Sequence, residues 1–348
     1  MLKNKKLSKI LLDYSLYIVL GILILIVIIK DPTFISLKNI TNILSQASTR
    51  GILALGVAGL IVLQGTDLSA GRILGLTAIV SASLLQSVTY ASRMYANLPE
   101  LPLLLPLLIA IIIGAIFGFI NGFGVAKLKL HAFIVTLGTQ LIAYGVSCIY
   151  IDRPPLGAQP IANLDERYVK FVTGALKIGA FELPYLIIYL VIISVIMWFV
   201  WNKTILGRNM FAIGGNPEAA AVSGVKISTN IIIVFIISGI LYGLAGFLEA
   251  GRVGSATSNS GINYELDAIS ACVVGGVSFA GGVGTIPGVL IGTVILQFIN
   301  YGLNFIGVSP YLQYIIKGLI IILAVSIDVR KYIDKKWNKA PSFGCFIS

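Results

Sequence analysis

Acid is scarce in this chain, and so is every other group that does chemistry. Of 348 residues only 14 are Asp or Glu, and there are one histidine, His131, and three cysteines, Cys148, Cys272 and Cys345. Nothing in the order of these residues forms a Ser-His-Asp set, an HExxH motif or paired carboxylates, so an embedded enzyme has no visible centre. Two cysteines lie inside apolar runs and one near the C-terminus, in no disulfide or metal-binding pattern; they read as small core residues. No Walker A pattern occurs either, and no cofactor is expected. Ion-coupled transporters carry acidic or histidine relays deep in their spans. Here few acids are central and His131 sits at the edge of a run.

What is plentiful is apolar: 57% of the residues are hydrophobic, more than a single core of this length can hide. They come in runs at 14–29, 43–64, 73–90, 102–126, 131–151, 183–201, 230–250, 264–281, 283–303 and 311–328. A run of about 20 residues matches a bilayer. In lipid every backbone polar group must be satisfied internally, so the runs are helices or helix–turn segments buried in protein. The fold class is all-α: a polytopic transmembrane bundle of about ten crossings with Gly-rich broken helices, or eight if two runs are re-entrant. The run at 14–29 is long for a signal peptide and is followed by Lys30-Asp31-Pro32, which is no small-residue cleavage site, so it is expected to be retained as a span.

The net charge of +11 is distributed as for a membrane protein rather than for nucleic acid. Lys3, Lys5, Lys6 and Lys9 precede the first run; Arg330, Lys331, Lys335, Lys336 and Lys339 follow the last. Lys127 with Lys129, and Lys203, Arg208 and Lys226, cluster between runs. Anionic lipid headgroups are the partner for such charges. Ten crossings place residues 1–13, the turn at Lys127, the loop 202–229 and the tail 329–348 on the cytoplasmic side of a membrane domain spanning 14–328. Residues 152–182 then lie outside.

Glycine is the chain's punctuation. Gly114, Gly118 and Gly122 are four apart, as are Gly284, Gly288 and Gly292, the spacing that lets helices approach closely in lipid. Gly56–Gln86 and Ala271–Gln297 both read as apolar helix, Gly-rich break, apolar helix, a repeat of the kind transporters use. The first break holds Gly65, Thr66, Asp67, Ser69 and Arg72, where Asp67 and Ser69 suit a helix cap; it is either a gate element or an ordinary capped turn. The second, Gly275 to Thr285, contains Gly275, Gly276 and Ser278 and fails the phosphate-loop pattern. Glu249, Arg252, Glu265 and Asp267 flank a polar stretch at 255–261, either an external loop or a mouth. Asn121, Thr136, Gln140 and Asn300, with Thr139, Tyr144, Gln297 and Tyr301, place hydrogen-bonding groups inside runs, for a sugar path or for helix–helix bonding.

The loop 202–229 is built differently. Asn216 can cap, Pro217 suits the first helical turn, Glu218 favours the positive end of the dipole, and Gly224 ends the segment. The result is a short helix with neither lipid nor core to face, so a partner protein is the economical explanation.

At this point a resemblance enters. Asn216-Pro217-Glu218-Ala219-Ala220, following Gly214-Gly215, is similar to the cytoplasmic loop of ribose/galactose-type ABC permeases. Gly65-Thr66-Asp67-Leu68-Ser69-Ala70-Gly71-Arg72, Phe133-Ile134-Val135-Thr136-Leu137-Gly138-Thr139 and Ala271-Cys272-Val273-Val274-Gly275-Gly276-Val277-Ser278-Phe279 resemble that family's other motifs, and the likeness runs from about 14 to 333. One departure is Ala132, after His131, where relatives often have Pro; it bears on the start of that helix. Leu248 to Thr257 and Tyr264 to Ile269 look most like members that carry galactose or its methyl glycoside, with ribose, another sugar or a nucleoside as alternatives. The resemblance implies a bacterial cytoplasmic membrane, a second permease copy, two ATPase subunits inside and an external sugar-binding protein. It also implies an ATPase-docking loop of Gly207, Arg208, Gly214, Gly215, Asn216, Pro217, Glu218, Ala219, Ala220, Ser223 and Gly224.

Overall fold

The computed structural model describes residues 15–153, 157–178 and 181–339. Residues 1–13 with their four lysines, and Cys345, lie outside the described residues, as do the side chains of the basic tail.

Helix α1 (Ser15–Lys30) is followed by a single 3-10 turn (Pro32–Phe34) and by α2 (Leu37–Val62). The Ser36 hydroxyl accepts from Asn39 N (3.3 Å), so α2 starts six residues ahead of its apolar run. Next come α3 (Ala70–Leu84), α4 (Leu104–Ala126) and α5 (Ala132–Ile151). In α5 the chain starts its helix without proline: His131 is extended and its Nδ1 accepts from Phe133 N (3.3 Å). Residues 152–182, between two apolar runs, contain α6 (Glu166–Thr173) and most of a two-stranded hairpin, β1 (Ala175–Ile178) with β2 (Phe181–Pro184), pairing Ala175 with Pro184. The fold is therefore helical with one small strand pair. Helices α7 (Tyr185–Lys203), α8 (Ile205–Gly215), α9 (Pro217–Val222), α10 (Ile227–Val253), α11 (Tyr264–Val274), α12 (Ile286–Phe305) and α13 (Pro310–Lys339) complete the chain.

Among the described residues six helices, α2, α4, α5, α7, α10 and α12, are long and apolar enough to cross a bilayer. Shorter apolar segments lie at Val19–Lys30, Ala70–Leu84 and Pro310–Leu323. The run 264–281 is helical only as far as Val274, because the glycines after it end the helix.

Helix α2 is the axis of the bundle: every residue from Gly51 to Val62 is buried. Helices α4, α5 and α7 instead present Ile112, Ile149 and Val195 outward, as lipid-facing helices do. The first glycine stripe joins α4 to α10. A methyl group on Gly114 would collide with the Gly239 carbonyl, and one on Gly118 with that of Phe235. The second stripe joins α11 to α12 through Gly288 on Gly275 and Gly292 on Ala271; Gly284 precedes α12 rather than lying in it.

Cross-links sort the connections onto two faces. On one, Ser87 N donates to Asn163 O (2.8 Å), Asp165 N to Leu85 O (2.7 Å), and Ile161 and Ala256 exchange bonds of 2.9 Å. There α6 buries Tyr168 and Val172, and the Tyr168 hydroxyl donates to the Phe247 carbonyl. The side-chain hydrogen bond from Arg167 holds the Asp165 carboxyl below the usual carboxylate range. On the opposite face, Ser228 Oγ donates to Ala126 O (3.2 Å) and Gly282 N to Val62 O (2.9 Å).

The glycine contacts carry a stability prediction. Gly118→Leu should destabilise the protein by about 1–3 kcal/mol through overpacking against α10. Gly138→Ala, with open space around the new methyl, should stay within about 0.5 kcal/mol of wild type. Thermal unfolding in detergent distinguishes the two; equal behaviour would remove the stripe from the packing account.

Candidate coupling and translocation site

The loop 202–229 folds as two helices, α8 and α9, rather than the single one expected. The Thr204 hydroxyl caps α8 by accepting from Gly207 N (3.2 Å), and Gly207 packs on the Trp201 carbonyl. Asn216 Oδ1 caps α9 by accepting from Ala219 N (3.0 Å), with Pro217 in the first turn. Helix α9 ends at Ser223, and Gly224 takes the left-handed conformation beyond it (φ 83°). Only Ala220 of α9 is buried; Pro217, Glu218 and Ala219 are exposed, and Val222 is 91% exposed. Arg208 and Gly215 are exposed beside it.

Behind this exposed pair lies a junction of three segments. Helix α2 ends in a Schellman motif: Gly65 N donates to Leu60 O (2.8 Å) and Gln64 N to Ile61 O (2.9 Å). The left-handed position of that motif is held by Gln64 (φ 61°), not by glycine. Helix α11 ends in the same motif, Val277 N to Cys272 O and Gly276 N to Val273 O (both 2.9 Å), and there glycine fills the position (φ 84°). The two halves of the sequence repeat thus stop their helices alike. The strained glutamine uses its side chain: Nε2 donates to Gly214 O (2.8 Å) and to Ala280 O (2.9 Å). It therefore joins α8 to both breaks. Gly214 lies against the Val62 carbonyl, and Gly282 against Gly215, at contacts no Cβ would permit.

Beyond the junction the first break turns back into the bundle. Asp67 Oδ1 accepts from Ser69 N (2.8 Å) and Ser69 Oγ (2.5 Å). Asn121 Nδ2 donates to Ser69 Oγ (2.9 Å), Thr139 Oγ1 to Asn121 Oδ1 (2.7 Å), and Thr136 Oγ1 to Thr66 O (3.3 Å). Asn121 is five residues inside the end of α4 and Thr139 seven inside the start of α5, so this chain lies about 7–10 Å deep at 1.5 Å per residue. Helix α3 accordingly begins inside the bundle. Its cap differs from expectation: Ser69 makes no side-chain cap bond, and Asp67 closes a local turn on Ser69 instead.

The stretch between α10 and α11 dips to meet it. Gly261 and Ser260 press their carbonyls on Gly71 and Gly75 of α3, so the first turns of α3 and α11 touch. Glu265 Oε2 sits over Gly71 with no hydrogen-bond partner among the described residues. Arg72 does not join Asp67; it donates to Ser258 O (3.1 Å) and lies 4.3 Å from the centre of the Tyr144 ring.

A second polar layer was not foreseen. Arg50, alone in the middle of α2, donates to Asp267 Oδ2 (3.1 Å) and Gln297 Oε1 (2.9 Å) and lies 4.6 Å over the Tyr264 ring. Lys317 of α13 reaches Asp267 at 2.9 Å. Glu249 accepts from Thr49 (2.7 Å), Tyr264 (2.8 Å) and twice from Arg252 (2.6 and 2.9 Å). Asn300 lines a cavity of only about 10 Å³ beside Arg50. Ser278 Oγ accepts from Ala280 N (3.2 Å) and closes the second break, while Gly275 packs on Gly288. Gln140 is half-buried on α5 and makes no bond to the Asp67 chain. Arg50 and Lys317 were legible as lone cations inside apolar runs; Gln64 carried no such signal.

Comparison with known proteins follows this geometry. Residues 39–325 match the family model described as branched-chain amino acid transport system / permease component. The galactose/methyl galactoside import permease protein MglC of Escherichia coli (strain K12) is 52% identical over 335 residues, 96% of this chain and 99% of the relative. Its namesake in Haemophilus influenzae is 51% identical over 334 residues, 96% of this chain and 98% of the relative. The ribose import permease protein RbsC of E. coli (strain K12) is 38% identical over 322 residues, 92% and 95% of the two chains. No solved structure matches the chain.

The ionic layer predicts an asymmetry. Asp267→Asn strips the carboxylate from two cations and should cost about 3–5 kcal/mol, as for a buried pair broken on one side. Lys317→Met leaves Asp267 with Arg50 and should cost under about 1 kcal/mol. Comparable losses in thermal unfolding would mean that Arg50 is not the principal partner.

Proposed function

We propose, for a chain that belongs to the family of branched-chain amino acid transport system permease components, that it is the membrane-spanning subunit of an ATP-driven importer of galactose or methyl galactoside. The observation that carries this reading is the exposed, capped helix α9 next to α8, which Gln64 ties to both breaks. A separate ATPase pressing on α8 and α9 would move Gly214, and with it Val62, Gln64 and Ala280, without any intervening flexible linker. The likeness to galactose/methyl galactoside permeases over nearly the full chain supports the substrate class; ribose stands second, on the lower identity to the ribose permease.

On this reading the chain crosses the membrane ten times, at α1–α5, α7 and α10–α13, with the non-helical stretches before α3 and α11 completing those two crossings. Both termini and the loop 202–229 face the cytoplasm, and the hairpin and α6 face outward. Two copies form the path, two ATPase subunits dock at Gly207–Gly224, and an external sugar-binding protein delivers substrate. The path runs between the Asp67–Ser69–Asn121–Thr139 chain, with Thr136 beside it on the Thr66 carbonyl, and the second break at Gly275, Gly276 and Ser278. Arg72, Gln140 and Asn300 lie further along it. ATP is hydrolysed on the partner subunit, and this chain contributes no catalytic residue.

The primary test is reconstitution with the ATPase and binding protein encoded beside it, followed by sugar-stimulated ATP hydrolysis. Galactose or methyl galactoside should stimulate; stimulation by ribose alone would keep the class and change the substrate, and transport without ATP consumption would overturn both. Within that system Glu218→Arg should reduce ATPase co-purification. Gln64→Leu should keep the complex but lower sugar-stimulated hydrolysis by about tenfold, the scale of 1–3 kcal/mol of coupling. Wild-type behaviour in both variants would refute the docking assignment.

A further inference from the structure

The outer face holds a cavity of about 350 Å³ between the first turns of α2, the end of α6, strand β2 and the end of α10. None of its lining belongs to the path described above. We infer that it is a docking site for a neutral monosaccharide, the first station of the sugar on the permease; this rests on the importer reading.

The cavity falls within the range of about 300–1,000 Å³ typical of small-molecule sites. Its lining is as apolar as it is polar: Ala175, Pro184 and Leu186 face the hydroxyls and amides of Thr41, Asn42, Ser45, Gln46 and Thr173, with Arg252 at one side. The Thr41 and Ser45 hydroxyls donate to backbone carbonyls one turn earlier (2.7 and 2.9 Å) and keep lone pairs to accept. Gln46 accepts from Gln297 through Oε1 (2.8 Å), which leaves its amino group for a ligand. The Asn42 amide is exposed and has no side-chain hydrogen bond among the described residues, so it offers a donor and an acceptor together. Sugar hydroxyls, each donor and acceptor at once, match this inventory.

Charge argues for a neutral ligand. The Arg252 guanidinium spends Nε and Nη2 on Glu249, so its cation is already balanced while Nη1 remains a donor. Glu182, the cavity's only carboxylate, has Lys177 at 3.6 Å. A phosphate or a free cation would meet no uncompensated partner. The floor is continuous with the ionic layer, through Gln46 to Gln297 and Arg50, and through Arg252 to Glu249. A sugar bound here therefore touches the residues that hold α2, α10 and α11 together.

The test uses the full chain with Asn42→Cys in lipid nanodiscs, labelled by a membrane-impermeant maleimide; wild type sets the background from its own cysteines. A ligand covering the thiol slows labelling by 1 + [L]/Kd, about threefold at twice its dissociation constant. Galactose and methyl galactoside should slow labelling saturably, and glycerol at equal concentration should not. In the reconstituted importer, Asn42→Leu should raise the sugar concentration for half-maximal uptake several-fold. Labelling insensitive to sugar, or slowed equally by glycerol, overturns the site. If the wild-type importer moves galactose with ATP while Asn42→Cys labelling ignores it, only the cavity assignment fails. If the wild-type importer never responds to galactose, the importer reading fails first.

Discussion

Everything at the inner end depends on how freed backbone groups are satisfied where helices stop inside a membrane bundle. A helix that ends in lipid strands its last carbonyls, and no water is at hand to take them. Here the carbonyl of Val62 accepts from Gly282 N, that of Gly214 from the Gln64 amide, and that of Ala280 from the same amide. Each break thus completes the other. Opening either half alone would take from the buried Val62 and Gly214 carbonyls the partners that they have here.

This mutual satisfaction explains where the glycines sit. Gly214, Gly281 and Gly282 bring main chain against main chain, and Gly71 with Gly261 does the same between α3 and α11. Such contacts require bare Cα atoms, and they concentrate at the two breaks and at the end of α8. The stripes on α4 and α12 serve another purpose, simple close approach of whole helices. The same residue type therefore marks two functions, which the fold separates and the sequence alone does not.

Much of this architecture was legible from apolar periodicity and helix punctuation. Asn216, Pro217 and Gly224 forecast the ends of α9 because capping is local chemistry. The Gly-rich breaks announced themselves, and Asp67, Ser69 and Asn121 share one chain of bonds that runs on to Thr139, with Thr136 bonded separately to the Thr66 carbonyl. What stayed hidden was long-range. Gln64 heads the break motif as an ordinary polar residue, and only its left-handed backbone and its two distant carbonyls reveal its part. Arg72 was grouped with Asp67 by proximity in sequence, yet it extends to Ser258, 186 residues away. The short reach of α11 was masked because apolar residues continue to Ala280 after the helix has stopped.

The geometry also bears on how force would travel under the proposed mechanism. A contact made through long side chains can absorb a displacement by changing rotamers. A contact made by main chain on main chain cannot, because there is no χ angle to turn. A shift of α8 must therefore move the ends of α2 and of the second break together or detach from them. At the other end, the outer ionic layer offers discrete pairings: Asp267 is shared by Arg50 and Lys317, and Glu249 binds Thr49, Tyr264 and Arg252. Interfaces of that kind exchange one set of partners for another rather than deform continuously. A stiff junction below and a repairable network above are the two properties that alternating exposure of a path between them requires.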